Sequence, residues 1–390
     1  MYRHTYVEVN LDNISSNIKN IVSKYRDYKY YIGMVKGNAY GHGFAIINTL
    51  IESGINYLAV SNLDEALEIR KYNKDIGILC TEIIDVDFLD VAIKNNITLT
   101  IDSINYLKNI SMKCKIHIKV NSGMNRLGVS TKEEFNDLIK YIKSHDNLYL
   151  EGIYTHFATP GINDIYYDKQ LDSFKNITSD IDLNSIDIVH LSSSFILVSH
   201  PKIEFANGIR IGTIMYGYDV SLNEYGSDIK SVLKKTRDNY LIKKNNISPV
   251  IRGNNIELKP ALKVITNVME IRKVKKGSLL GYGVNTLNND SLVAILPIGY
   301  EDGIGTNMNG RKVIINDKIY NAISNIEMCM MFVCVDDSVK VGDKVIILGD
   351  KLTLGYMSRL NNMGIQGMLS TIGQRLERVY IKDNKRVEIN

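Results

Sequence analysis

The sequence predicts an α/β protein: an N-terminal (β/α)8 barrel followed by a mostly β C-terminal domain. Two observations carry this reading. From about residue 30 to residue 215 a short apolar strand, a turn and an amphipathic helix recur, the texture of parallel strands joined by right-handed helical crossovers. After Glu257 the helices thin out and short strands dominate. An open doubly wound sheet is the alternative for the first part, but no G-x-G-x-x-G follows the first strand.

Taken in order, Tyr6-Val7-Glu8-Val9-Asn10 alternates as a strand, and Ile14–Tyr25 carries apolar residues at helical spacing. That first strand, about residues 3–10, is expected to pair with the C-terminal domain. Barrel strands are predicted over Tyr30–Val35, Tyr57–Val60, Ile76–Cys80, Ile97–Ile101, Ile116–Val120, Leu150–His156, Ile186–Leu191 and Gly208–Ile214. Helical stretches between them include Asn62–Lys71, Val86–Lys94, Thr131–Lys143, Tyr167–Ile177 and Phe195–His200. These place the barrel in residues 1–222. Residues 223–256, rich in Lys and Asn and without clear period, read as a solvated linker or surface insertion. The β-rich domain then spans 257–390, with strands over Leu262–Ile271, Ser291–Pro297, Lys312–Ile315, Met328–Val335 and Lys344–Leu348 and one good helix, Leu354–Asn361.

Composition excludes several classes of function. In 390 residues, 45% hydrophobic and 23% charged content is that of an ordinary globular protein, and 47 basic against 43 acidic residues argue for neither nucleic acid nor a membrane surface as partner. Cys80, Cys114, Cys329 and Cys334 form no CxxC pair and have no interleaved histidine at metal-ligand spacing, so reduced thiols and no metal are expected. With no leader-like segment and no apolar run near membrane-spanning length, the expected place is the cytoplasm.

The chemistry centres on Tyr31-Ile32-Gly33-Met34-Val35-Lys36-Gly37-Asn38-Ala39-Tyr40-Gly41-His42-Gly43. An apolar strand ends on a lysine and a glycine-flanked turn follows. The C-terminal end of a barrel strand is where such folds place catalytic groups, and desolvation there would lower the amine's pKa and free it to attack a carbonyl. Taken alone, a strand-end lysine is a solvated side chain. The string Val35 to Gly43, however, closely resembles the pyridoxal-phosphate lysine segment of the alanine racemase family. Further family segments recur in order: Lys119-Val120-Asn121-Ser122-Gly123-Met124-Asn125-Arg126-Leu127-Gly128, Tyr154-Thr155-His156-Phe157-Ala158, His190-Leu191-Ser192-Ser193-Ser194, Arg210 to Gly217, Leu280-Gly281-Tyr282-Gly283, Pro297 to Gly303, and Cys329-Met330.

The resemblance implies a pyridoxal-phosphate-dependent racemase interconverting L- and D-alanine, working as a homodimer with shared active sites. Serine or a broader set of amino acids is the alternative substrate, and a non-catalytic pyridoxal-phosphate-binding homologue the remote one. By the same resemblance Lys36 anchors the cofactor and serves one face of the substrate α-carbon, with Tyr282 of the other subunit serving the opposite face. Tyr40, Ser194, Gly212 and Thr213 match the phosphate cradle, and His156 and Arg210 the cofactor ring. Arg210 would face the pyridine nitrogen and keep it unprotonated. Arg126 and Met330 match contacts to the substrate carboxylate, and Lys119 matches a lysine that is carbamylated in many members.

The pattern departs from the family at one layer. Pro160-Gly161 follows Thr159, Thr306 stands where an arginine is usual, Glu327 and Met331 flank Cys329-Met330, and Gln366 falls where a tyrosine is usual. In the family these positions line the entrance to the active site, so Gly161, Thr306, Glu327, Met331 and Gln366 are expected to form an altered entrance. Gln366 would be able to bond a substrate hydroxyl.

Overall fold

The computed structural model of the protein describes residues 3–307 and 310–388. Eight parallel strands close into a barrel in the order β2 (Tyr30–Met34), β3 (Tyr57–Val60), β4 (Ile78–Cys80), β5 (Ile97–Ile101), β6 (Cys114–Lys119), β7 (Leu148–Tyr154), β8 (Ile188–His190) and β9 (Gly208–Ile211), preceded in the chain by β1 (Tyr6–Asn10). Closure comes from β2 on β9, with Tyr30 opposite Gly208 and Gly33 opposite Ile211. Ile97–Ile101 is buried at every residue, as expected of a strand covered on both faces, and its β-branched sequence Ile-Thr-Leu-Thr-Ile suits a strand. Helices between strands begin on identifiable caps. Asn62 accepts from Glu65 N–H, and Thr131 with Glu134 forms a reciprocal capping box ahead of helix Lys132–Lys143.

The second architecture is a ten-stranded sheet. Its further strands are β10 (Leu262–Asn267), β11 (Glu270–Val274), β12 (Ser291–Leu296), β13 (Lys312–Ile315), β14 (Lys318–Ile323), β15 (Met331–Val335), β16 (Lys344–Leu348), β17 (Glu377–Lys382) and β18 (Lys385–Val387). The strand order is β11-β12-β15-β14-β13-β16-β10-β1-β17-β18. The N-terminal strand β1 sits inside this sheet, antiparallel to β10 and parallel to β17. The contacts group the chain into two compact units. One holds Ile14–Lys36 and Ile47–Lys259; the other holds the chain through Asn13, Gly37–Ile46 and the chain from Pro260.

Several expectations are corrected. The single strand expected over Leu262–Ile271 is two, because Val268 and Met269 turn the chain from β16 to a different partner, β12. Met328–Val335 is strand only from Met331, since Glu327 N–H closes a turn on the Met330 carbonyl. Strands β14, β17 and β18 were not foreseen, and helix Ile365–Thr371 joins Leu354–Leu360. Residues 223–256, expected as a solvated linker or surface insertion without clear period, contain helix Ile229–Asn245. Its period is weak because the one fully buried residue is polar, Asp238 held against Tyr225 and Arg252, and only Leu241 and Ile242 beside it are half-buried apolar residues. Among the described residues, no helix is long and apolar enough to cross a membrane.

Candidate active site

Lys36 follows strand β2, whose Val35 N–H is held by the Ala59 carbonyl of β3. Burial first, and then the neighbouring charges of Arg126 and Arg210, push its amine below the ordinary lysine value, against the opposing pull of Glu65 and Glu82. The chain then does something unusual. Gly37, Asn38, Ala39 and Tyr40 all take left-handed backbone conformations, with φ of 62°, 52°, 53° and 53°. Left-handed backbone costs an L-residue about 1–2 kcal/mol, so the three non-glycine residues store strain that the surroundings must offset. Part of the compensation is visible: Gly41, His42 and Gly43 N–H groups bond back to Gly37, Ala39 and Asn38 carbonyls, and Arg378 donates to the Gly41 carbonyl. Gly41 itself must be glycine, since a Cβ there would lie 2.5 Å from the Leu369 carbonyl oxygen. Tyr40 is thereby fixed as the last residue of a rigid turn, and burial pushes its phenol up to about 12.

Arg210, on β9, has both terminal nitrogens surrounded by acceptors. Its NH1 donates to His190 Nδ1 at 2.7 Å and to the His190 carbonyl at 2.8 Å. Its NH2 donates to the Thr155 and Leu191 carbonyls and lies 3.1 Å from His156 Nδ1. Burial and the charge of Arg210 hold His156 down to about 3, so its ring is neutral.

Behind Arg210 runs a chain of buried polar groups that the sequence reading did not single out. His190 Nε2 is 3.1 Å from His117 Nδ1, and His117 Nε2 is 3.2 Å from Glu151 Oε2. A guanidinium can only donate. His190 Nδ1 must therefore accept, leaving the ring proton on Nε2 to donate to His117 Nδ1. His117 in turn carries its proton on Nε2, facing the Glu151 carboxylate. Burial keeps both imidazoles neutral. Burial also opposes the Glu151 charge, but hydrogen bonds from His117, Lys115 and Tyr57 outweigh it and hold the carboxyl below its ordinary value. The signal was present as polar residues at positions 117, 151 and 190 inside strands buried on both faces.

Lys119, at the end of β6, is buried, and burial followed by Arg126, Arg210 and Lys36 brings its amine down to about 8. Its carbonyl receives Val129 N–H at 3.0 Å, closing the loop that carries Arg126. Gly128 permits this, because a Cβ there would sit 2.5 Å from the Lys119 oxygen. Asn121 Oδ1 accepts from Gly123 and Asn125 N–H and shapes the rest of the loop. Ser194 opens helix Ser194–Ser199 and its Oγ accepts Gly212 N–H at 2.9 Å, which leaves the hydroxyl proton to donate elsewhere. Thr213 starts the 3-10 turn Thr213–Tyr216 directly after Gly212. Lys36, Lys119, Arg126, His156, Ser194, Arg210, Gly212 and Thr213 thus share the barrel unit.

The β unit holds the others. Tyr282 is 75% exposed on a loop flanked by left-handed Gly281 and Gly283, with its carbonyl held by Asn285 and Asn325. Glu327 is beside this loop: a Cβ on Gly281 would approach its carboxylate to 3.0 Å. Glu327, Met330 and Met331 form one turn, with Met330 partly exposed and Met331 fully buried opposite Leu296. Gln366 is on helix Ile365–Thr371, which packs on the left-handed turn through Leu369 and Ser370. Thr306 is exposed in the loop after Gly303, whereas Gly161 is in the barrel unit after β7, where a Cβ would meet Tyr167 at 2.8 Å. The structure therefore brings Glu327, Met330, Met331 and Tyr282 into one neighbourhood; Gly161 belongs to the other unit.

The donor set fits pyridoxal phosphate. After burial, the charges of Arg126 and Arg210 lower Lys36, those of Arg126, Arg210 and Lys36 lower Lys119, and that of Arg126 lowers Arg210, a surplus of positive charge that an anionic group would relieve. The lowered Lys36 amine suits a carbonyl carbon, and the proton-locked Arg210 suits a neutral ring nitrogen.

Fold and site together are those of a barrel protein with a lowered lysine amine just past its first barrel strand, suited to a carbonyl compound. Comparison with known proteins makes this specific. The alanine racemase N-terminal domain matches residues 9–220 and the alanine racemase C-terminal domain residues 261–380. The chain is 32% identical over 416 residues to the alanine racemase of Clostridium novyi (strain NT), covering 100% of this chain and 99% of that protein. The structure of alanine racemase from Clostridium difficile 630 is similar with a TM-score of 0.86 at 28% identity, covering 100% of this chain and 99% of that one. Alanine racemase from Bacillus anthracis with bound L-Ala-P gives 0.83 at 28% identity over 100% and 97%. The chain belongs to the alanine racemase family.

Proposed function

We propose that this protein is an isomerase interconverting L- and D-alanine, with pyridoxal phosphate held at Lys36 and the two faces of the substrate α-carbon served by Lys36 and Tyr282. The observation that carries the reading is the lowered Lys36 amine beside Arg210, whose proton positions are fixed by the His190–His117–Glu151 chain. Pyridoxal phosphate, when bound, supplies an electron sink that acidifies the substrate α-C–H. Lys36 takes or returns the α-proton on one face at its amine, and Tyr282 does so on the other at its phenol. Arg126 binds the carboxylate, assisted by Met330 N–H. Tyr40, the Ser194 hydroxyl, Gly212 and Thr213 bind phosphate. His156 would hold the ring from one side, and Arg210 would hold its nitrogen without donating its proton outright.

Leu279, Tyr282, Val284, Met328 and Met330 of the β unit are exposed large apolar side chains, and their exposure supports a second subunit seated there, with Tyr282 reaching the partner's site. Lys119, poised near its neutral form among cations, is suited to carbamylation: its nitrogen would bond to carbon dioxide, release a proton to solvent and leave an anion facing Arg126. The buried free thiols Cys80 and Cys114 support a reducing, cytoplasmic setting.

The test is α-proton exchange of alanine in deuterated water. The wild type is expected to exchange and racemise alanine and to show an absorption band from the lysine-bound cofactor. Lys36→Ala should lose both. A wild type with the band but no exchange of any small amino acid would overturn the enzyme reading and leave a cofactor carrier.

A further inference from the structure

Helix Ile229–Asn245 is built inside out. Helices on a protein surface turn their apolar stripe inward, yet here the buried side chain is Asp238. It is held by Tyr225 Oη at 2.8 Å, Arg237 Nη2 at 3.1 Å and Arg252 Nη2 at 3.6 Å. Asp228 caps the first turn through Ser231, and left-handed Asn246 ends the last, so the helix has defined limits. With Asp238 pinned inward, the opposite side faces solvent. That side carries Ile229 (80% exposed), Leu233 (65%) and Tyr240 (61%), spaced four and seven residues apart, with Val232 (51%) beside them.

Cations border this stripe on both sides. At 100° per residue, Lys230, Arg237 and Lys244 recur at seven-residue steps along one flank, and Lys243 falls at the other margin beside Val232. All are exposed, and the Lys244 ammonium lies over the Tyr240 ring at 5.8 Å. With Lys234 and Lys235 added, the helix holds six cations against the single Asp238, more positive charge than the whole chain's net +4.

We infer that this helix is an interfacial anchor that lays its apolar stripe on an anionic lipid bilayer. An exposed apolar stripe bordered by a cationic row on one side and Lys243 on the other, about 25 Å long at 1.5 Å per residue, is the form of a helix lying in the plane of a membrane surface. Tyrosine at the rim and lysine stems that reach outward suit the headgroup layer. Five of the six cations are lysines, compact hydrated charges fitted to a diffuse anionic surface, whereas discrete carboxylate or phosphate partners favour arginine's fork. A second copy of the chain is disfavoured as occupant, because two such faces would oppose like charge. The sequence suggested no membrane contact because the chain's overall charge balance is ordinary and the stripe exists only once the segment is wound into a helix.

The test uses the full-chain holoenzyme and sedimentation with vesicles. Binding to phosphatidylglycerol/phosphatidylcholine vesicles is expected to exceed binding to phosphatidylcholine alone by about tenfold or more, and to fall in 0.5 M salt. A Leu233→Gln/Tyr240→Ser variant should bind about tenfold more weakly while keeping its helix content and racemase activity. Soluble glycerophosphate should not compete. Equal binding to both vesicle types overturns the proposal. So does undiminished binding of the variant, which would reduce the contact to charge adsorption. Dissociation of the variant's subunits in sedimentation velocity would reassign the stripe to a subunit contact. Failure on vesicles with stripe-dependent binding to polyglutamate would reassign it to an acidic protein.

Discussion

His190 presents Nδ1 to Arg210 NH1 at 2.7 Å, and this contact fixes the proton on every group behind it. Because Arg210 only donates, His190 and His117 each hold one defined tautomer and the line ends on an ionised Glu151. The carboxylate thus acts on the guanidinium through two neutral rings.

Glu151→Gln tests that coupling. Its amide would face Lys115 as donor against donor, or turn towards His117 and reverse both tautomers, putting an N–H against Arg210. We expect kcat to fall by about 10–100-fold through displacement of Arg210. Imidazole nitrogen chemical shifts should report altered tautomers at His117 and His190. Unchanged shifts would contradict the assignment.

Lys119 gives a second prediction. With its amine near 8, about half is neutral at that pH and open to carbon dioxide. Enzyme depleted of carbon dioxide should weaken in alanine binding, seen as raised KM, and recover with bicarbonate. Carbon-13-labelled bicarbonate should give a carbamate signal that Lys119→Ala lacks.

Acid sensitivity follows from the buried histidines. Burial lowers His42 to about 4 and His156 to about 3, while unfolded histidine titrates near 6.5. Between those values the unfolded chain binds more protons, so stability is complete above about pH 6.5 and is lost as pH falls. Each residue contributes up to about 1.4 kcal/mol per pH unit. Denaturant midpoints measured from pH 7 to pH 5 should decline throughout; a flat profile to pH 5 would refute neutral burial.

Gln366 addresses substrate choice. If it bonds a substrate hydroxyl, Gln366→Tyr should lower kcat/KM for serine relative to alanine by about tenfold, the worth of one hydrogen bond. An unchanged ratio would remove Gln366 from selectivity.

The barrel was legible because its strands are short, mostly apolar runs ending at turns, with Lys36 and His156 just past strand ends, Arg210 within β9 and Arg126 in the loop after β6. Three features were not. The Glu151–His117–His190 line depends on side chains from three strands meeting inside a closed barrel, which no local pattern encodes. The left-handed turn after Lys36 shows only as glycines, although Asn38, Ala39 and Tyr40 share its conformation. Helix Ile229–Asn245 was hidden because its fully buried residue is Asp238 and most of its apolar residues face solvent, so the usual rule about which face is apolar pointed away from a helix.

The most direct test of the two-faced mechanism is Tyr282→Phe given L- and D-alanine separately in deuterated water. With Lys36 alone active, α-proton exchange should persist for one enantiomer while racemisation falls by about 10²–10⁴-fold, the usual contribution of a positioned acid or base. Equal exchange of both enantiomers with racemisation intact would contradict the assignment of Lys36 and Tyr282 to opposite faces.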